Sequence, residues 1–233
     1  MRNFYVVHYS KLEKRKKTLL KEFEKYSYNL IFNNKFDKEM IDRKTLKRFN
    51  YRFFDKFIKR KPGFRKLKKS HISAWLKHLD IILNNNESKF VIIIEDDLIL
   101  NSEFEKKFEE VIKDLPNNFG FCFFDAFIEE YAKVEKRLYN PNKLIHQIDY
   151  FEKPNYKKPS SKKSGKTRGL AGYIFNLDYR ELLEKEYNSQ KKIYVMFDHW
   201  LNHFINQYKL SVYWVEPSIA KQGSMNKIVP RSW

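Results

Sequence analysis

The 233-residue chain contains one cysteine (Cys122), six glycines and no long apolar run. A single cysteine excludes an intramolecular disulfide and a metal site built from several cysteines. Apolar runs reach about five residues, as in Phe90–Ile94, whereas a membrane-spanning helix needs about 20. No stretch near the N-terminus combines positive charge, an apolar core and a small-residue cleavage site, so no secretory signal is indicated. These absences predict a protein of a reducing compartment, located in the cytoplasm.

Acidic residues are also scarce, because 47 Lys and Arg stand against 29 Asp and Glu, for a net charge of +18. A field of that sign attracts nucleic acid, anionic membranes and phosphorylated ligands. The many Lys, Asn, Phe, Tyr and Ile residues are equally typical of an AT-rich genome, in which case the charge is a solvated surface. The charge alone does not choose between these interpretations.

The basic residues cluster in two blocks. Residues 35–69 hold 15 basic and four acidic residues, and residues 153–168 hold seven basic residues and no acidic one. Spaced apolar residues in the stretch 41–61 predict a basic amphipathic helix within a helical insert. Such a helix can dock on an anionic membrane or a polyanionic acceptor, or pack as an ordinary surface helix. The second block, rich in Pro, Ser, Lys and Gly, predicts a mobile basic loop.

Strand-like and helix-like segments alternate along the chain, which favours a single α/β domain over residues 1–233 with a largely parallel sheet. The predicted strands are Asn3–His8, Asn29–Phe32, Phe90–Ile94, Phe119–Phe124, Ala171–Leu177 and Leu210–Val215. The predicted helices run from Ser10 to Lys25, Ser70 to Asn84, Asn101 to Leu115, Asp178 to Tyr187 and Asp198 to Tyr208, with Ser10 and Ser70 as helix caps.

Three acids, Glu95, Asp96 and Asp97, follow the apolar run Phe90–Ile94 directly. A strand without polar alternation lies centrally in a parallel sheet, and ligands bind beyond the carboxyl ends of such strands. Adjacent carboxylates repel one another, and a hard cation such as Mn²⁺ or Mg²⁺ would offset this and bridge them to a diphosphate. Because residues two apart share a side of an extended chain, we expect Asp97 as the main metal ligand and Glu95 assisting. An acidic loop that caps the next helix is the alternative.

Two further aspartates occupy comparable positions. Asp125 follows a predicted strand and is either a turn residue or a site acid. Asp198 begins a predicted helix, where an aspartate is common as a cap for structural reasons alone. Near a bound donor, Asp198 could instead accept a proton from an acceptor hydroxyl.

Six short segments then occur in a fixed order along the chain. They are Phe4–His8 with Leu12–Arg15, Ser70–Trp75, Ile94–Asp97, Gly172–Phe175, Asp198–Leu201, and Pro217 with Gln222–Ser224. Together these segments resemble glycosyltransferase family 25, which includes lipooligosaccharide galactosyltransferases and collagen galactosyltransferase domains. The resemblance covers nearly the whole chain.

The resemblance implies a GT-A-like fold and inverting transfer of a hexose, galactose or glucose, from a UDP-sugar donor. It places Mn²⁺ (or Mg²⁺) at the acidic motif, where Glu95 and Asp97 correspond to the family's DxD-like acids and Asp96 lies between them at the donor. The implied acceptor is a hydroxyl of a saccharide or of a hydroxylysine. Peripheral contact with an anionic membrane is compatible with the basic insert.

The remaining site residues also follow from the resemblance. Ser70 and His71 would lie near the nucleotide, and Gln222 would border the donor pocket. Asp198 would be the catalytic base or would orient the acceptor. Lys166 belongs to the predicted mobile loop, whose lysines we expect to close over the donor phosphates.

The chain departs from the family pattern in two places. Lys66 and Leu67 stand where the family usually has a glycine–cysteine pair, and no histidine follows His203. A C-terminal histidine metal ligand is therefore missing, and Gln222 or water would take its position. Two other functions stay open: a nucleic-acid-binding protein that uses residues 35–69, and a catalytically inactive transferase-like scaffold. The first leaves the acidic strand end unexplained, so nucleic acid is not the expected partner.

Overall fold

The structure is a computed structural model that describes residues 1–49, 67–126, 142–148, 166–224 and 228. Its strands are β1 Arg2–Val7, β2 Tyr28–Asn33, β3 Phe90–Glu95, β4 Leu98–Leu100, β5 Phe121–Phe123, β6 Asp125–Ala126, β7 Ile145–Gln147, β8 Gly172–Asn176, β9 Val212–Val215 and β10 Ala220–Gln222. Its helices are α1 Glu13–Phe23, α2 Arg43–Arg48, α3 Lys69–Asn84, α4 Phe104–Asp114, α5 Arg180–Ser189 and α6 Phe197–Gln207.

Seven strands form the main sheet in the order β2-β1-β3-β8-β5-β9-β7. The pairings make β2, β1, β3, β5 and β9 run in one direction, with β8 and β7 opposed to them. A small second sheet pairs β10 with β4 and β6, which follow β3 and β5 in the chain. The expected GT-A-like class, a mostly parallel α/β sheet flanked by helices, is confirmed.

Strand β3 lies inside the main sheet and is covered on both faces, as its unbroken apolar run predicts. Val91 and Ile93 face one apolar cluster with α3, α5 and α6, and Ile92 and Ile94 face the other with α1 and α4. Four consecutive buried residues fix the strand, so the acids that follow it are held at a defined place.

Two predicted helix caps are wrong. Helix α1 begins at Glu13 and not after Ser10, because the Ser10 hydroxyl donates to the carboxylate of Asp37, distant in sequence. Helix α3 begins at Lys69, which places Ser70 inside the first turn instead of at the cap. At α1 a contact distant in sequence replaces the predicted cap, whereas at α3 the local contact of the Lys68 N–H with His71 Nδ1 lies at the helix start.

The predicted helix over residues 41–61 is not continuous. Helix α2 begins at Arg43 after its cap Asp42, whose carboxylate accepts the Thr45 N–H at 2.8 Å, and it gives way to extended backbone at Phe49. The ring of Phe49 is buried against Trp75 and its backbone bridges to Ile193, so packing ends the helix there. The rest of the predicted insert, residues 50–66, lies outside the described residues.

Only the last three residues of the predicted mobile loop, Lys166–Arg168, are described. Thr167 exchanges two hydrogen bonds with Asn202, at 2.9 and 2.6 Å, and the side chain of Arg168 is buried. This end of the loop is therefore anchored to α6. Residues 153–165 lie outside the described residues. In the described part of the chain, no helix has both the length and the apolarity needed to cross a membrane.

Candidate active site

The carboxyl ends of β1 and β3 open into a cleft, with α3 on the opposite wall. The described residues that line the cleft are Val7, His8, Tyr9, Leu12, Arg15, Ser70, Ser73, Ala74, Lys77, Glu95, Asp96 and Asp97. The three predicted acids thus lie together where open α/β sheets bind their ligands.

Asp96 is the best compensated of these three acids. Its carboxylate accepts a hydrogen bond from Arg15 Nη1 at 2.9 Å, and His8 Nδ1 lies 2.8 Å from its other oxygen. Because a carboxylate only accepts, Nδ1 of His8 carries the proton in this pair. All three side chains are buried. Asp96 therefore fastens β1 and α1 to the end of β3, while a direct contact with the donor stays a prediction.

Among the described residues, the direct polar contacts of Glu95 are with neutral groups. Gln222 Nε2 donates to Oε2 at 3.0 Å, and His78 Nε2 lies 3.5 Å from Oε1. Burial lowers the pKa of His78 to about 3, so its imidazole is neutral at pH 7. Burial raises the pKa of Glu95 well above its usual range, and the nearby carboxylates, Asp97 foremost, raise it further. Keeping Glu95 ionised therefore costs free energy.

Asp97 is buried and only partly satisfied. Its Oδ2 accepts the backbone N–H of Ser224 at 3.3 Å, and Arg15 Nη1 lies 3.9 Å away. Its other oxygen, Oδ1, has no hydrogen-bond partner among the described residues. Burial raises the pKa of Asp97, although Ser224 and Arg15 lower it. Among the described residues, this oxygen is thus an acceptor that a ligand could use.

Asp125 lies in strand β6 and not in a turn, and it is within electrostatic range of the acids after β3. It is fully buried, and neither carboxylate oxygen makes a hydrogen bond of normal geometry with a described residue. Burial raises the pKa of Asp125 to about 7, the guanidinium of Arg168 opposes that rise, and the charge of Asp97 adds to it. Its charge also raises the pKa of Glu95. Glu95, Asp97 and Asp125 together form the excess acids, which lack a close cationic partner in the described part of the chain.

A sequence comparison identifies the family. The sequence model of glycosyltransferase family 25, described as an LPS biosynthesis protein, matches residues 1–201. The chain belongs to glycosyltransferase family 25. It is therefore a glycosyltransferase, and the family that the short segments resemble is confirmed. No curated protein is significantly similar to the family 25 chain in sequence.

Solved structures show weak similarity to this family 25 chain. A glycosyltransferase involved in glycosylation of the major capsid of PBCV-1 has 8% identity and a TM-score of 0.45, over 98% of this chain and 99% of that chain. Mouse xyloside xylosyltransferase 1 in the apo form has 11% identity and a TM-score of 0.43, over 98% and 86%. A nucleoside-diphosphate-sugar pyrophosphorylase from Vibrio cholerae RC9 has 10% identity and a TM-score of 0.31, over 92% and 72%. The family match, and not these similarities, identifies the chain.

The predicted nucleotide-binding residues fall in different places. Ser70 lines the cleft from the first turn of α3. His71 is not one of the described lining residues, and its Nδ1 accepts the N–H of Lys68 at 3.2 Å. The backbone carbonyl of Lys166 accepts the indole N–H of Trp214 at 2.8 Å. Contacts of these residues with a nucleotide stay predictions.

Asp198 lies in the first turn of α6, at the edge of the site. The adjacent Phe197 stacks on His78 at 5.1 Å between ring centroids, and His78 in turn lies beside Glu95. One carboxylate oxygen of Asp198 is buried without a hydrogen-bond partner among the described residues. The structure thus brings the start of α6 close to the acids, although Asp198 is not one of the described residues that line the cleft.

The sequence analysis missed three buried cations, Arg15, Lys77 and Arg168, which are 9%, 1% and 7% exposed. A signal existed for Lys77, because it lies four residues from Ser73 and from Ile81, both on the buried side of α3. Arg168 has no such signal, since it follows a loop of basic residues. These cations decide which of the acids are neutralised.

The excess acids fit a divalent cation without completing its coordination. Among the described residues, no group of three or more His, Cys, Asp or Glu side chains converges to hold a metal ion. The unpartnered Oδ1 of Asp97 and the raised pKa values of Glu95 and Asp97 nevertheless show that negative charge here is under-compensated. Carboxylate oxygens are the ligands that Mg²⁺ and Mn²⁺ prefer. The residues therefore fit a cation that takes its other ligands from substrate and water.

Proposed function

We propose that this family 25 glycosyltransferase moves a hexose, galactose or glucose, from a UDP-sugar to a hydroxyl of a saccharide or hydroxylysine acceptor, with inversion at the anomeric carbon. The observation that carries the proposal is the unpartnered Oδ1 of Asp97, buried beside Glu95 at the end of β3 and facing the cleft. A buried carboxylate oxygen without a partner is costly unless a ligand satisfies it. A divalent cation supplies the required positive charge and can bind a diphosphate on its other side.

Glu95 and Asp97 would hold Mn²⁺ (or Mg²⁺) in this proposal. Bound there, the cation would supply positive charge to stabilise the diphosphate leaving group. The chain prepares the two carboxylates separately. Gln222 orients Glu95 through a hydrogen bond of 3.0 Å, and the Ser224 N–H orients Asp97.

The other cleft residues bind and orient the donor. Arg15 and His8 hold Asp96, so the strand end does not move when the donor enters. Ser70 offers a hydroxyl from the first turn of α3, where the positive end of the helix dipole favours anionic groups. His71 supports that first turn, and Lys166 would meet the phosphates from the anchored end of its loop.

Asp198 is the proposed base that removes the proton of the acceptor hydroxyl as that oxygen attacks the anomeric carbon. Its support is the buried, unpartnered carboxylate oxygen and the contact of the neighbouring Phe197 with His78 beside Glu95. The aspartate would also orient the acceptor.

An anionic glycan is the favoured class of acceptor. The family description names LPS biosynthesis, and the net charge of +18 attracts acidic saccharides. The same charge supports peripheral contact with an anionic membrane, through helix α2 and the basic residues around it.

The test is a hydrolysis screen without acceptor, since many transferases transfer slowly to water. The full chain is incubated with UDP-galactose or UDP-glucose in Mn²⁺ or in EDTA, and released UDP is measured. We expect Mn²⁺-dependent release from one donor, reduced about 100-fold or more by Asp97→Asn. The matched control is Asp114→Asn, an exposed aspartate at the end of α4, which should keep the wild-type rate.

Three outcomes contradict the proposal. If the Asp97→Asn variant keeps most of the activity, Asp97 is not part of the site. If that variant no longer folds, the role of Asp97 is structural instead. A wild-type melting temperature that does not respond to UDP with Mn²⁺ favours the inactive scaffold.

A further inference from the structure

A buried ion pair borders the cleft and has no part in the chemistry described above. Lys77 Nζ donates to Asp37 Oδ1 at 2.7 Å and to the carbonyl of Asn33 at 3.1 Å. The two charged residues are 1% and 5% exposed. Burial raises the pKa of Asp37, but the hydrogen bonds from Lys77 and Ser10 outweigh it and lower that pKa below its usual value. The carboxylate of Asp37 is therefore ionised at neutral pH. Burial lowers the pKa of Lys77, and the hydrogen bond and charge of Asp37 oppose that lowering.

Asp37 also binds the segment that follows β1. The hydroxyl and the backbone N–H of Ser10 both donate to Asp37 Oδ2, the N–H at 3.3 Å. The preceding Phe36 has a φ of 58°, a left-handed conformation that is uncommon for a residue with a side chain. Such a conformation persists only where surrounding contacts fix it, and Phe36 packs against the apolar core. The chain thus makes a constrained turn directly before Asp37.

The two partners of Asp37 belong to opposite walls of the cleft. Tyr9 and Leu12, on either side of Ser10, line the cleft at the end of β1, and Lys77 lines it from α3. A single carboxylate therefore connects both walls.

We propose that Lys77 and Asp37 are positioning residues that set the width of the donor cleft. They hold the segment Tyr9–Leu12 at a fixed distance from α3, so the cleft is formed before a donor enters. A preformed site avoids the cost of ordering loops on binding. The nature of the ligand rests on the proposed function, whereas the link between the walls rests on the contacts above.

Buried ion pairs give a way to separate positioning from stability. Removing one partner leaves an unpaired buried charge and destabilises the fold, whereas replacing both by neutral residues is often neutral. If the pair only stabilises, a doubly neutral variant behaves as the wild type. If it positions, that variant regains stability without regaining the cleft.

The experiment compares Lys77→Met with the double variant Lys77→Met, Asp37→Asn. Asparagine keeps an oxygen that accepts the Ser10 N–H. The control is Lys35→Met. It removes an ion pair of 3.5 Å between the exposed Lys35 and Asp80, which lies on α3 as Lys77 does. Three quantities are measured on the full chain: the urea midpoint, the Kd of UDP with Mn²⁺ by calorimetry, and amide hydrogen exchange in Tyr9–Leu12.

We expect Lys77→Met to lower the urea midpoint and the double variant to recover most of it. UDP should bind both variants about tenfold more weakly than the wild type, and Tyr9–Leu12 should exchange about tenfold faster in both. The Lys35→Met control should stay within about twofold of the wild type in UDP affinity and in exchange rate.

A double variant with wild-type UDP affinity and wild-type exchange overturns the inference and leaves the pair a purely structural one. If the wild type itself does not bind UDP with Mn²⁺, the proposed donor is wrong. Hydrogen exchange in the double variant then decides alone. Faster exchange in Tyr9–Leu12 supports the positioning role of Lys77 and Asp37, and unchanged exchange overturns it.

Discussion

The acids around the cleft fall into two groups that differ in whether a nearby cationic side chain neutralises their charge. The paired acids, Asp37 and Asp96, each have a cationic nitrogen within 3 Å, from Lys77 at 2.7 Å and Arg15 at 2.9 Å. The excess acids, defined above, have no Lys or Arg nitrogen closer than 3.9 Å among the described residues. The two groups lie next to each other in the chain, since Asp96 separates two of the excess acids.

Within the tripeptide Glu95-Asp96-Asp97, this difference separates one acid that joins elements of the fold from two acids that are suited to bind a ligand. A paired, buried acid joins elements of the fold, and its charge is already neutralised. An excess acid raises the free energy of the ligand-free protein, and a bound cation can recover that free energy. Adjacent carboxylates can therefore have opposite roles, and the cations around them show which role each has.

The largest expected effect on stability comes from removing the cationic partner of a paired acid. Arg15→Met leaves the carboxylate of Asp96 buried with His8 as its remaining partner, and we expect the free energy of unfolding to fall by about 3–5 kcal/mol. Chemical denaturation measures the loss. The neighbouring exposed Lys14→Met should change stability by less than about 0.5 kcal/mol. A loss below about 1 kcal/mol for Arg15→Met would show that Asp96 does not depend on this pair.

Removing an excess acid should raise the free energy of unfolding instead of lowering it. Burial raises the folded-state pKa of Asp125 from 3.8 to about 7, so the folded protein holds this proton more tightly than the unfolded chain does. Asp125 therefore makes the wild type less stable as the pH rises from about 4 to about 7, by about 4 kcal/mol in all. Asp125→Asn cannot lose that proton, so its stability advantage over the wild type should grow across this pH range.

This pH dependence is measured by denaturation in EDTA at pH 4.5, 6.0 and 7.5. Asp114→Asn, an exposed substitution of the same kind, should differ from the wild type by a constant amount across the series. An equally constant difference for Asp125→Asn would place Asp125 among the satisfied acids and remove it from the excess group.

The fold was largely predictable because its core strands are defined by local sequence. Phe90–Ile94 was predicted as a strand and is observed as Phe90–Glu95, since an unbroken apolar run is buried on both faces. Helix starts were less predictable. Ser10 has the residue type and spacing of a cap, yet its hydroxyl binds Asp37 from another part of the chain. A competing tertiary partner cannot be recognised from local spacing.

The site was predictable in location but not in its division of roles. The three acids after β3 were recognisable, whereas the pairing of Asp96 depends on Arg15, which is 81 positions away. A partial signal was present, because Arg15 precedes Leu19 and Phe23 at intervals of four and so shares their buried face of α1. The local signal for Asp125, its position after a predicted strand, left a turn residue and a site acid equally open, since only the fold brings it within electrostatic range of Asp97.

The smallest expected effect tests whether burial, and not the Arg–carboxylate contact itself, gives the paired acids their importance. Arg2 binds Glu109 with a shortest distance of 2.7 Å, close to that of Arg15 with Asp96, but its side chain is 35% exposed and that of Glu109 44%. Solvent screens such a pair, so Arg2→Met should lower the free energy of unfolding by only about 0.2–1 kcal/mol. Denaturation at low and at high salt measures the loss, which should be smaller at high salt because salt screens the exposed pair. A loss as large as that of Arg15→Met would mean that contact geometry alone determines the contribution, and the contrast between buried paired acids and the rest would lose its basis.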